Sequence, residues 1–223
     1  MPLPHPLPLT ASEENYLKAL HALTEWENDP VTTGNIAAQL GVAPASATSM
    51  VAKLAGKELV VHPRYGAIEF TPAGRLAALS VVRRHRLIET FLLNELGYSW
   101  DEVHNEAEQL EHTVSDRFIE ALAARLGHPA ADPHGDPIPG PDGTVVMPPA
   151  IRLDRYLHPD AGEVTAAGPG APTWAIVSRI SDEDPAWLRR CTELGIAPGA
   201  VIELPHPELS DIDATMLWVL PAE

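Results

Sequence analysis

The chain has 223 residues, 45% of them hydrophobic, and a formal net charge of -16. Such a length and apolar share suffice for one or two packed domains, while a single cysteine, Cys191, excludes an internal disulfide framework and thiolate-cluster metal sites and fits a reducing compartment. The proline-rich start Met1-Pro2-Leu3-Pro4-His5-Pro6-Leu7-Pro8 is unlike a signal helix, and no run approaches the ~18 apolar residues of a membrane span, so the expected location is the cytoplasm, away from membranes. Strong acidity weighs against a nucleic-acid partner, but it is unevenly spread. Lys and Arg against Asp and Glu number four to seven in residues 1–74, six to nine in 75–130 and five to fifteen in 131–223. Metal cations bound to acids of the middle region would cancel part of their charge.

Thr10 or Ser12 can cap a first helix whose Tyr16, Leu17, Leu20 and Leu23 recur at helical spacing. Thr32 to Leu40 predicts a second helix, Gly41-Val42 a tight turn, and Ala43 to Leu54 a third helix with Pro44 in its first turn. Ala47, Met50, Val51 and Leu54 give that third helix a buried side. Ala45, Ser46, Ser49 and Lys53 remain outward, small or hydrogen-bonding residues plus a cation that can lie close against DNA. Two short extended runs between Leu59 and Thr71 surround a turn with Arg64, Tyr65 and Gly66, which completes a winged helix-turn-helix and can set Arg64 and Tyr65 on the phosphate backbone. A three-helix module that binds protein, and a winged-helix regulator sensing an organic ligand, are the other readings of this pattern.

Farther on, His85 and Glu89 stand four apart, a pair that taken alone is more often solvated surface. His104-Asn105-Glu106-Ala107-Glu108-Gln109-Leu110-Glu111-His112 is denser in ligand types. On one helix the side chains at 104, 108, 111 and 112 share an arc of roughly 100°, yet His104 and His112 stand about 12 Å apart along the axis, so a metal face here would serve two ions. Seven prolines between Pro129 and Pro149 read as a linker, and β-type runs follow at Thr173–Ile180, Ala200–Leu204 and Met216–Leu220, enough for a small barrel. His134 and His206 read as solvated loop histidines. An enzyme is disfavoured: the helical core lacks Glu-x-x-His pairs for a di-iron bundle, and there is no His-Glu-x-x-His motif or phosphate loop.

Thr71-Pro72-Ala73-Gly74-Arg75, Arg84-His85-Arg86-Leu87, Glu102 to His112 and Asp132-Pro133-His134-Gly135-Asp136-Pro137-Ile138-Pro139-Gly140, with Leu194-Gly195-Ile196-Ala197-Pro198-Gly199 near the end, together resemble the diphtheria toxin repressor family of metal-dependent regulators, most closely its actinobacterial manganese transport regulator branch. The resemblance implies a mainly α fold. Residues 1–74 would form the winged helix-turn-helix DNA-binding domain, 75–128 a helical dimerisation and metal-binding domain, 129–149 a linker, and 150–223 an SH3-like (FeoA-like) β-barrel. It also implies an activating site of Asn15, Glu108, Glu111 and His112, and an ancillary site of His85, Glu89 and His104 with Asp184 from the third domain. Glu108 stands where the iron branch has cysteine and the manganese branch a carboxylate, pointing to Mn(II), two ions per protomer, with Fe(II) or another divalent transition metal as the alternative. Asn15 departs from the aspartate usual in the manganese branch, and Lys18 replaces a second carboxylate of two-domain members. The implied function is a homodimeric repressor of manganese uptake genes on a palindromic operator, without catalysis or a small-molecule substrate; the alternatives are an iron(II)-dependent repressor and, less so, a di-metal enzyme.

Overall fold

The computed structural model describes residues 9–26, 29–64, 66–158 and 174–221. Tyr65 and Thr173 lie outside the described residues. The chain divides into two compact units, one reaching to His85 and including Gln109–Glu120 and Pro139–Val145, the other comprising Arg86–Glu108, Ala121–Ile138 and the chain from Val146 on.

In the first unit, α1 (Ala11–Glu25) begins at a capping box: Thr10 accepts from Glu13 N, and the Glu13 carboxylate accepts from Thr10 N. Such caps contribute about 1 kcal/mol each. Burial works to raise the pKa of Glu13, but Lys57, the Thr10 backbone and Lys53 outweigh it and hold the carboxyl down at about 2. Thr32 caps α2 (Thr33–Gln39) in the same way, and α3 (Pro44–Gly56) starts on Pro44. Leu17, Leu20, Ile36, Ala47, Val51 and Leu54 fill the core between these helices. β1 (Val60–Val61) pairs antiparallel with β2 (Glu69–Phe70), forming the expected wing. Next comes the long α4 (Pro72–Leu96). At its start Thr71 Oγ1 accepts from Gly74 N, and a side chain at Gly74 would place its Cβ 1.7 Å from the Leu59 carbonyl oxygen. Only glycine lets the helix lie this close to β1.

α5 (Val103–Leu110) and α6 (Asp116–Arg125) are each divided between the two units, as is α4 after His85. After these come β3 (Ile151–Arg152), α7 (Leu153–Leu157), β4 (Trp174–Ile180), α8 (Pro185–Leu194), β5 (Val201–Glu203), α9 (Asp211–Ala214) and β6 (Leu217–Pro221). The four strands form an antiparallel sheet of order β3-β6-β4-β5. Among the described residues this sheet does not close, which corrects the expected barrel: β3 and β5 are its edges. Val177, Ile180, Leu188, Ile196 and Leu217 pack beneath it.

Two further expectations change. The histidine-rich stretch is not one helix to His112, because α5 ends at Leu110 and Glu111–Thr113 form a turn closed by Thr113 N donating to the Leu110 carbonyl. The Pro-rich segment is not wholly a solvated linker either. Asp132, His134 and Asp136 are buried, and the His134 carbonyl accepts from Ile180 N at the end of β4. Gly135 meets β4 so closely that a Cβ there would stand 2.1 Å from the Ser178 oxygen.

Candidate metal centre

In the first unit, α1 presents Glu14, Asn15 and Lys18, α4 presents Arg84 and His85, and the turn after α5 presents Glu111 and His112. Glu111 is fully buried. Lys18 Nζ donates to both of its oxygens, at 2.7 and 2.9 Å, and His85 Nδ1 lies 2.6 Å from Oε2. Burial would raise the Glu111 pKa; His85 and Lys18 prevail and lower it. His112 Nδ1 lies 2.6 Å from Glu14 Oε2, and Arg84 donates both to Glu14 Oε1 and to the Glu111 carbonyl. Nδ1 of His112 therefore carries the hydrogen facing Glu14. Its Nε2 has no hydrogen-bond partner among the described residues and stands 3.3 Å from Glu111 Oε1. This is the carboxylate–histidine arrangement that orients a metal-binding imidazole. The Asn15 Oδ1 is likewise buried and lacks a hydrogen-bond partner among the described residues, an acceptor suited to a cation.

The second unit has a cluster of its own residues. His104 Nδ1 is 2.9 Å from Asp182 and 3.3 Å from Glu89, and its Nε2 is 3.8 Å from Glu108. Burial lowers the His104 pKa, but Asp182 and Glu89 overcome it and push it up to about 11. Glu89, His104 and Asp182 offer donor atoms within 4.8 Å of one another, as do Glu89, Asp132 and His134. His134 stacks on Trp100 and its Nε2 lies 3.2 Å from the Trp100 carbonyl. Nε2–H donating there leaves Nδ1 as an acceptor, and Nδ1 is buried without a hydrogen-bond partner among the described residues. Asp132 is pushed well above the usual carboxylate range by burial, then by Asp136 and Glu89.

Several expected positions move. Asp184 is exposed and caps α8 by accepting from Ala186 N at 2.8 Å; Asp182, two residues earlier, is the carboxylate that meets His104. An acidic run in a loop gives no period from which the inward member could be chosen. His85 has its Nδ1 2.6 Å from Glu111 Oε2. His134 is fully buried instead of solvated, and it and Asp132 were hidden by the proline content around them. Glu14 had a legible signal, since it lies four residues before Lys18 on one helix face.

On the winged helix, Ala45, Ser46, Ser49 and Lys53 are exposed along α3 and Arg64 is exposed at the wing turn. Lys53 Nζ also reaches Glu13, at 3.2 Å.

Residues 8–68 match the N-terminal DNA binding domain of the iron dependent repressors, residues 71–140 their metal binding and dimerisation domain, and residues 172–211 the FeoA domain. A solved structure described as a manganese-dependent transcriptional repressor in complex with manganese superposes with a TM-score of 0.79 at 39% identity, covering 94% of this chain and 100% of that one. The chain belongs to the diphtheria toxin repressor family. Its curated relatives include the diphtheria toxin repressor of Corynebacterium jeikeium, 27% identical over 88% of this chain and 85% of the relative. The iron-dependent repressor IdeR of Mycobacterium leprae is 28% identical over 86% and 83%. Members of this family are metal-dependent transcriptional repressors and not enzymes, and their paired DNA-binding and dimerisation domains indicate operator DNA and a second copy of the chain as partners. No described helix is long and apolar enough to cross a membrane.

Proposed function

We propose that the chain is a Mn(II)-dependent repressor that binds a palindromic operator as a cytoplasmic homodimer and restrains manganese uptake genes when the metal is plentiful. Its activating site comprises Asn15, Glu108, Glu111 and His112. The ancillary site comprises His85, Glu89 and His104, with Asp182 in the place expected of Asp184 and with Asp132 and His134 extending the set around Glu89. Two ions bind per protomer.

The observation that carries the choice of metal is the chemistry of the donors, all oxygen or imidazole nitrogen. Cys191 is buried in the core beneath the sheet, where burial pushes its thiol up to about 12, so no thiolate softens either site. Hard oxygen donors suit Mn(II). The names of the curated iron-dependent relatives favour Fe(II) as the second reading.

A divalent cation held by Glu111 and His112 supplies two positive charges and directional bonds to oxygen and nitrogen. The chain supplies the coupling. Glu14 orients His112 from α1, and Asn15 sits beside it on the helix that packs against α2 and α3. A switch from 1:99 to 99:1 between inactive and binding postures needs about 5.5 kcal/mol of differential binding.

The test is operator binding by the full-length protein, followed by fluorescence anisotropy under separate titrations of Mn(II) and Fe(II). A rise in affinity that Mn(II) completes is expected. No metal-dependent gain would remove the activation mechanism, and a response to Fe(II) with none to Mn(II) would replace manganese by iron.

A further inference from the structure

We propose that the Lys18 ammonium is a tethered cation that occupies Glu111 in the metal-free protein and must be evicted by the metal, so that Lys18 sets the metal threshold of the activating site. The inference rests on the reading of Glu111 as an activating-site ligand.

Both Glu111 oxygens are engaged. Oε1 receives Lys18 Nζ at 2.7 Å and faces His112 Nε2 at 3.3 Å; Oε2 receives Lys18 at 2.9 Å and His85 Nδ1 at 2.6 Å. Because a 2.6 Å contact with a carboxylate requires Nδ1–H as donor, the 3.4 Å approach of Lys18 to the same Nδ1 is an electrostatic neighbour and not a second hydrogen bond. The ammonium donates to both oxygens of Glu111, whose side chain has no exposure to water. A carboxylate enclosed in this way has its charge balanced by the chain itself, as a metal would balance it.

A divalent cation bonded to Glu111 would lie within a few ångströms of that ammonium, and like charges at such range in a buried setting repel strongly. Lys18 has a way out: its side chain is 16% exposed on a flexible four-carbon stem. Measured metal affinity is then the intrinsic affinity reduced by the cost of breaking the Lys18–Glu111 pair. A purely structural role, in which Lys18 merely holds Glu111 in position, predicts the opposite sign, since removing a support weakens the site.

The sign decides. Mn(II) binding to the full-length protein is read from the EPR signal of free Mn(II), without DNA, for the wild type and for Lys18→Met, which keeps the stem and removes the charge. Lys18→Met is expected to bind at least about tenfold more tightly at one of the sites. Lys18→Gln should move in the same direction by less, and Lys18→Arg should stay near the wild type. Metal-free Lys18→Met should melt lower than the wild type while gaining more from added Mn(II). Unchanged or weaker Mn(II) binding in folded Lys18→Met and Lys18→Gln overturns the proposal. Glu111→Gln separates the two readings: if it leaves Mn(II) binding intact, the activating site itself is misplaced and the proposal falls with it. If Glu111→Gln loses an ion while Lys18→Met gains no affinity, the site stands and only the competitor is refuted.

Discussion

The cluster around Glu111 and the cluster around His104 use the same residue types but balance their charge differently. Around Glu111, the carboxylates Glu14 and Glu111 meet Lys18 and Arg84, with the imidazoles of His85 and His112 against them. Around His104, the carboxylates Glu89, Glu108, Asp132, Asp136 and Asp182 lie among Arg86, Arg179 and a protonated His104. Buried carboxylates in excess of their counterions take up a proton or a cation, and Asp132, raised well above its ordinary pKa, is where the excess shows. On the proposed site assignment, a metal entering the first cluster would displace the Lys18 ammonium, whereas one entering the second would displace the proton of His104.

The largest effect is expected at the proposed activating site. Glu108→Ala and His112→Ala should each abolish Mn(II)-activated operator binding, a loss of about a hundredfold or more in response; wild-type activation in both variants would place the activating ion elsewhere. In the second cluster Asp182→Asn should weaken one ion by about tenfold and leave the other unaltered. Asp184→Asn, at an exposed cap, should change no metal affinity, and equal effects in the two variants would return Asp184 to the site. Asn15→Asp adds a charge where the chain has a neutral acceptor, and Mn(II) activation should strengthen by about tenfold or less. Unchanged or weaker activation would remove Asn15 from the ligand set.

The smallest effect is on the pH dependence of the metal-free protein. Its folded pKa of about 11 lies above the ordinary 6.5, so protonated His104 stabilises the fold fully below 6.5 and that contribution is lost as pH rises through 11. Asp182, held well below 3.8 against the effect of burial by protonated His104, contributes fully above 3.8 and loses its contribution as pH falls through its lower folded value. The melting temperature of the wild type should therefore exceed that of His104→Ala most between pH 3.8 and 6.5, by a few degrees at about 1 kcal/mol, and the gap should close as pH rises toward 11. A flat or widening gap would show that Asp182 and Glu89 do not hold the proton on His104.

Much of the fold was legible because it is local. Thr10 and Thr32 announce their helices by capping chemistry, Pro44 starts the third, and the apolar spacing of Tyr16, Leu17 and Leu20 fixes which side of the first is buried. The short helices after the proline-rich stretch, α7 and α9, carry no such periodicity within five and four residues. Of the site, the ligand types and the motif around His104 to His112 could be read from spacing, but not the end of α5 at Leu110, since helix and turn share residues there.

By itself the sequence determined the supply of donors: one cysteine, a dense His/Glu stretch and a winged helix ahead of it. Tertiary structure alone decided their pairing. It put Lys18 on Glu111, Glu14 on His112, Asp182 and not Asp184 on His104, and His134 inside the second unit. The physical reason is that local signals act through hydrogen bonds spanning three or four residues, whereas each of these partners lies tens of residues away in the chain. The burial that makes an ion pair obligatory arises only when those segments pack.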